Sequence, residues 1–302
     1  KNRLIVENFK FIFIGCVDFS AEMLNKMILI GYKPNLVITK SESNFNSDFN
    51  DLTKICNKYS IESIYSDDIN SKSIFKKIYS IDPEVIFCLG WSSLIKKELL
   101  NLPKIGVIGY HPSLLPLNRG RHPIIWSLSL GLEITGSTFF LMDEGADSGD
   151  IISQEKVKID INDNASSLYN KLIVTAKKQL ETIIPKLIDK SFIKTKQNEI
   201  KANYWRKRTK YDGFLDFRMS SLTIYNIVRS LNKPYPGAYF LYNGNEFKLW
   251  KVKIQSSNLK NIEPGKILEI NGREILVKTA DSSIWLIDHN LIDIPKLNTY
   301  LL

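Results

Sequence analysis

Through the first half of the chain, short apolar runs closed by Gly, Asp or polar turns alternate with amphipathic stretches. Residues 9–14, 35–39, 84–89 and 104–110 are brief and rich in Ile, Val and Phe, the pattern of strands buried on both faces. Residues 20–30 place apolar side chains at helical spacing with Glu22 early, which predicts an amphipathic helix. Strand and helix in this rhythm predict an α/β domain built on a Rossmann-like parallel sheet. Between Pro112 and Pro116 regular helix is forbidden, and a helix is expected to begin at His122–Pro123, run through Trp126 to Leu130 and end at Gly131. Residues 138–142 form another β-like run, 165–186 a long helix, and the polar residues 194–199 read as a linker.

Beyond that point the pattern changes. A helix-like stretch over 221–231 precedes Asn243–Gly244, an Asn-Gly turn between aromatic runs and a strong hairpin signal. Short β-like runs at 265–270, 274–279 and 283–287 follow, with turns at Asn271–Gly272 and Asp281–Ser282. This predicts a small OB-like β-barrel domain. A chain of 302 residues supports two cores, expected as a catalytic domain over residues 1–200 and a β domain with its linker over 201–302.

Composition narrows the class. With 44% hydrophobic and 24% charged residues the chain is an ordinary soluble protein. It carries no apolar run of about 18 residues and no signal-like start, so neither a membrane span nor export is expected. Cys16, Cys56 and Cys88 are odd in number and lack CxxC spacing, which argues against disulfides and zinc and for a cytoplasmic location. Gly15-Cys-Val-Asp-Phe19 is not a GxGxxG fingerprint, so no dinucleotide cofactor is expected.

The candidate chemistry is concentrated in one stretch. Two of the three histidines, His111 and His122, fall within a Pro- and Arg-rich block, and an Asp/Gly loop carrying Asp147 follows the run at 138–142. If the preceding strands are parallel, His111 leaves the carboxyl end of its strand, where open α/β sheets place ligands. A carboxylate beside an imidazole fixes its tautomer and favours its protonated form, so that the ring accepts a proton from an attacking amine. That is the chemistry of acyl transfer.

The string HPSLLPLNRGRHPIIW from His111 to Trp126, the string TGSTFFLMDEGADSGDI from Thr135, and Phe13-Ile-Gly-Cys-Val-Asp-Phe-Ser20 resemble the 10-formyltetrahydrofolate-dependent formyltransferases over nearly the whole chain. The resemblance implies a catalytic pair of His111 and Asp147, with Arg121 near the reaction centre. It implies a folate pocket formed by Gly90, Trp91, Leu94, Ile95, Phe140, Asp143 and Gly145, and requires no metal. Most members carry Asn two residues before the histidine, where its amide helps hold the formyl oxygen; here that position is Gly109. Losing one such donor costs ~3 kcal/mol, or ~100-fold in rate, unless water, a backbone N–H or Tyr110 replaces it. A glycine there also leaves room for a bulkier acceptor.

The acceptor is the finer question. A net charge of +9 and a high pI of about 9.2 are compatible with nucleic acid, and methionyl-tRNA formyltransferase belongs to the family. The tRNA enzymes carry a long basic loop after the second strand, whereas the matching residues 41–51 here hold three acids and no Lys or Arg, a loop that repels phosphate. Nucleic acid is therefore disfavoured. The expected acceptor is the amine of a nucleotide-linked (dTDP or UDP) deoxyamino sugar, as in O-antigen and lipopolysaccharide biosynthesis. Gly109, Tyr110, Arg119, Arg206, Arg208 and Tyr235 are expected at that substrate, Arg206 and Arg208 by bidentate phosphate contact, and the resemblance points to a homodimer. Methionyl-tRNA formyltransferase is the alternative, followed by a formyltetrahydrofolate hydrolase and a non-catalytic folate- or sugar-binding protein.

Overall fold

The computed structural model describes residues 9–43, 47–233 and 235–301. In chain order the elements are β1 (Phe11–Ile14), α1 (Asp18–Leu29), β2 (Leu36–Thr39), α2 (Thr53–Tyr59), β3 (Ser63–Tyr65), α3 (Lys72–Ile81), β4 (Val85–Cys88), α4 (Lys97–Leu100) and β5 (Gly106–His111). There follow β6 (Arg119–Gly120), α5 (Pro123–Ser129), β7 (Ile134–Leu141), β8 (Ile151–Lys158), α6 (Ala165–Ile188), β9 (Tyr204–Trp205) and α7 (Ser221–Ser230). Last come β10 (Ala238–Tyr242), β11 (Asn245–Gln255), β12 (Ile267–Asn271), β13 (Glu274–Lys278) and β14 (Ser283–His289).

The chain divides into two compact units. The first comprises the residues up to Gly120 together with Gly136–Val157 and Lys171–Tyr204; the second comprises Arg121–Thr135, Lys158–Asn170 and the residues from Trp205 onward.

The main sheet runs β3-β2-β1-β4-β5-β7-β8. Its first five strands pair in parallel, as the strand–helix rhythm predicts. At its far edge the sheet is mixed: β7 runs antiparallel to β5, with Gly109 opposite Phe140 and His111 opposite Thr138. The connection through α5 returns the chain reversed. Strand order turns at β1, whose neighbours are β2 and β4, and here two backbones approach closely. A Cβ on Gly15 would lie 2.4 Å from the Leu89 carbonyl oxygen, and Ser20 Oγ closes the gap with a 2.5 Å hydrogen bond to the same oxygen. Ile12, Ile14, Leu36, Ile38, Ile86 and Val107 form the buried core on one face. Cys16, Cys56 and Cys88 are all buried thiols. Burial pushes the Cys16 and Cys56 thiols up to about 11 and Cys88 up to about 12.

The second unit is organised by an antiparallel sheet in the order β10-β11-β14-β13-β12. Asn243 and Gly244 both take positive φ, 50° and 75°, the backbone that a two-residue type I′ hairpin requires. Ser220 caps α7 by accepting the Thr223 N–H at 3.1 Å, and Ile224 and Val228 of that helix join Phe240, Leu249, Val277 and Leu286 in one core.

Candidate active site

His111 is the last residue of β5, and its ring is almost wholly buried. Its Nε2 donates to the Asn118 carbonyl oxygen at 2.7 Å, a contact that assigns the ring proton to Nε2 and leaves Nδ1 as the reactive lone pair. Nδ1 lies 3.4 Å from Asp147 Oδ2. Catalytic hydrogen bonds are often loose until substrate binds.

Asp147 is held from two sides. Oδ2 accepts the Gly120 N–H at 2.9 Å, and its own carbonyl accepts Gln197 Nε2 at 2.8 Å. Its backbone is left-handed, φ +57°, a conformation that costs a residue other than Gly about 1–3 kcal/mol. The turn preceding it is closed by Asp143, whose Oδ1 accepts the Gly145 N–H at 3.0 Å and Ser148 Oγ–H at 2.7 Å. Gly149 follows because nothing larger fits: a Cβ there would sit 1.7 Å from the Leu141 carbonyl oxygen.

The other expected site residues are placed as follows. At Gly109 the space that an Asn would need is taken. A Cβ would lie 2.9 Å from Met142 Cγ and 3.1 Å from Phe140 Cζ, so the glycine opens no room for a bulkier acceptor. Tyr110 does not supply the missing donor. Its hydroxyl hydrogen-bonds Ser137 Oγ at 2.9 Å, its ring stacks on Phe19, and burial drives its hydroxyl well above the ordinary range. Arg119, expected at the substrate, is instead fully buried. Its Nε and Nη2 reach Gln197 Oε1 at 3.1 and 2.8 Å, its Nη1 and Nη2 reach Glu199 at 2.9 and 2.6 Å, and Nη1 reaches the Tyr204 hydroxyl at 2.7 Å. These contacts engage all five guanidinium donors.

Among the residues expected at folate, Leu94 is 76% exposed whereas Ile95 is buried in the sheet core, and Phe140 is buried opposite Gly109. Trp91 follows Gly90, which has φ +78°. The indole lies under Lys40 Nζ, 5.0 Å from the ring centroid, and its Nε1–H is buried with no hydrogen-bond partner among the described residues.

Arg121, Arg206, Arg208 and Tyr235 belong to the second unit. Arg206 is committed to Asp212, with Nη1 2.8 Å from Oδ2, and lies over the Trp126 ring. That contact holds the Asp212 carboxyl well below the usual range. Arg208 is half-buried, and desolvation lowers its affinity for a proton despite the nearby Asp212. Tyr235 packs against the unit's hydrophobic core. His122 caps α5 in the left-handed region, φ 56°; its Nε2 is buried without a partner among the described residues. Burial, then Arg208, Arg121 and Lys207, lower its pKa.

Sequence reasoning missed Gln197 and Glu199, both within the stretch read as a linker. Thr195 there exchanges two backbone hydrogen bonds with Ile151, and Gln197 is only 4% exposed.

Comparison with known proteins agrees with this geometry. Residues 10–184 match the formyl transferase family and residues 207–298 the formyl transferase C-terminal domain. The chain is 33% identical to the methionyl-tRNA formyltransferase of Caldicellulosiruptor saccharolyticus over 90% of its length and 89% of the relative's. Among solved structures, an N-formyltransferase from Helicobacter canadensis, in complex with folinic acid and dTDP-3-aminofucose, superposes with a TM-score of 0.70 at 21% identity, covering 92% of this chain and 98% of that one. The sugar 3-N-formyltransferase WlaRD, in the presence of dTDP and 5-N-formyl-THF, superposes with a TM-score of 0.68 at 21% identity over 92% and 96%. With a histidine and a carboxylate paired at the end of its fifth strand and both family domains matched in order, this chain is a member of the formyltransferase family.

Proposed function

We propose that the protein transfers a formyl group from 10-formyltetrahydrofolate to the amine of a nucleotide-linked deoxyamino sugar. The observation that carries this reading is the His111–Asp147 pair, 3.4 Å apart. The folate supplies an activated formyl group. As the amine forms its bond to the formyl carbon, His111 Nδ1 takes the amine proton and Asp147 Oδ2 stabilises the resulting imidazolium. That proton then accompanies the departing folate nitrogen, so the pair ends as it began. Asn118, through its carbonyl oxygen, keeps the ring in the tautomer this requires.

The residues fit a folate ligand. Trp91 offers a buried donor without a partner among the described residues, and exposed Leu94 offers an apolar wall. Gly90, Asp143 and Gly145 contribute backbone groups and the turn that presents Asp147. We assign Arg121 to positioning reacting groups, and Arg206, Arg208 and Tyr235 to the nucleotide diphosphate and base. Arg208, half-buried and without the bidentate partner that occupies Arg206, is the better phosphate ligand.

Residues 41–51, of which 44–46 lie outside the described residues, hold three acids and no basic residue, which favours a nucleotide sugar over tRNA. The sequence likeness to methionyl-tRNA formyltransferases favours the second reading. One experiment separates them. Incubation with 10-formyltetrahydrofolate and a panel of dTDP-, UDP- and GDP-linked amino sugars, followed by mass spectrometry, is expected to show one formylated sugar. Formylation of aminoacylated initiator tRNA and of no sugar would establish the second reading instead.

A further inference from the structure

We infer that Gln197 is a positioning residue for the reaction, acting through Asp147, and that buried Arg119 sets its orientation. The inference rests on the proposed roles of His111 and Asp147. Asp147 has a left-handed backbone, φ +57°, which an Asp adopts more readily than most residues but still at a cost, so an external restraint helps hold it. Gln197 provides one. Its Nε2 donates both hydrogens into the loop, to the Asp147 carbonyl at 2.8 Å and the Gly149 carbonyl at 2.7 Å. Those two carbonyls bracket the Ser148 turn, so a single amide fixes the curvature of the segment that presents the carboxylate.

An amide can point either way, and here its direction is dictated. Arg119 Nε and Nη2 both donate to Gln197 Oε1, at 3.1 and 2.8 Å. A guanidinium carries no acceptor, so only the oxygen can face it and the NH2 must face the loop. Arg119 is itself fixed by Glu199 and Tyr204 and is fully buried. Its neighbour Gly120 donates the N–H that Asp147 Oδ2 accepts at 2.9 Å. Residues 119–120 therefore grip Asp147 twice, at its carboxylate through Gly120 and at its backbone through Gln197. The same segment, through Asn118, accepts the His111 Nε2–H. Both members of the pair are thus located by three consecutive residues and one glutamine. The arrangement predicts that the 3.4 Å separation of His111 and Asp147 depends on Gln197.

The test uses Gln197→Glu, which keeps the acceptor for Arg119 but has no hydrogens for the loop, and Gln197→Met, which keeps the volume. Both are expected to lower kcat about 10- to 100-fold, the scale of a displaced reacting group, with KM for the acceptor within about twofold. In a cycle with Asp147→Ala, either variant should add nothing to the loss that D147A produces alone, since groups acting as one unit are not additive. Unchanged kcat, or a Gln197 effect of equal size with and without Asp147, overturns the inference. If no acceptor is formylated by the wild type, the functional proposal fails on its own. The inference is then read from the 15N spectrum of the imidazoles in the unliganded protein. Displacement of the His111 Nδ1 resonance in Q197E and Q197M, with His289 unmoved, supports it, and an unmoved His111 resonance overturns it.

Discussion

Substituting Gly109 with Asn tests whether this chain has given up an amide donor for want of space. A Cβ at residue 109 meets Met142 Cγ at 2.9 Å and Phe140 Cζ at 3.1 Å. The phenyl ring is buried, so a new side chain gains room only as the half-buried Met142 side chain is displaced. Adding a side chain to such a packed place destabilises by about 1–3 kcal/mol, read as a fall of roughly 2–4 °C in melting temperature for each kcal/mol in a protein of this size. G109N should therefore be less stable and no faster. Removing the obstruction in G109N/M142A should raise kcat at least about 10-fold above G109N, since a single oxyanion donor is worth about 100-fold when it is well aimed. Calorimetry and initial-rate formylation read the two quantities. If G109N alone is as stable as the wild type and more active, Met142 does not occupy the donor's place and the reasoning fails.

His111→Ala should lower kcat by about 100- to 10,000-fold, the usual contribution of a general base, with the far-UV spectrum unchanged; a residual rate within tenfold of wild type would exclude His111 as the base. Gly149→Ala should destabilise by about 3 kcal/mol or more in urea unfolding, because the clash at 1.7 Å is with the Leu141 backbone oxygen and no rotamer relieves it; a loss below about 0.5 kcal/mol would refute that packing. His122 has its pKa lowered from 6.5, first by burial and then by Arg208, Arg121 and Lys207. The unfolded chain takes up that proton first, so this contribution to stability is intact above about pH 6.5 and is lost as pH falls below it. His122→Asn, which tolerates the left-handed backbone, should show a flatter decline in stability between pH 7 and pH 5, and equal slopes in the two proteins would contradict the assignment.

The parts of this architecture written in local pattern were legible. Apolar runs near residues 11, 36, 85 and 107 became four of the five parallel strands, β3 being too short to read, and Asn243–Gly244 made the predicted hairpin. Direction was not legible at β7, because a run such as Thr-Phe-Phe-Leu-Met presents the same side chains whichever way it is threaded. Gln197 was invisible for a different reason. Flanked by Lys196 and Asn198, it has the composition of a solvated connector, and what buries it is Arg119, 78 residues away. Leu94 and Ile95 show the limit within one dipeptide: alike in hydropathy, one lies at 76% exposure and the other at 6%. At the site, residue type alone left His111 and Asp147 open to ordinary loop and turn roles; the family resemblance singled them out, and the structure sets them 3.4 Å apart. The supports that aim them are long-range hydrogen bonds without periodicity.

The interior thiols turn this enzyme into its own opening clock. A sulfhydryl whose pKa has been driven to about 11 is ionised in only about one molecule in ten thousand at pH 7, too rarely for alkylating reagents to find it. Once the surrounding segment opens to water, the ordinary reactivity returns and capture is swift. Maleimide uptake at Cys16, Cys56 and Cys88, resolved by peptide mapping, would then report how often the paired β1 and β4 end of the sheet and helix α2 breathe, with no engineered site.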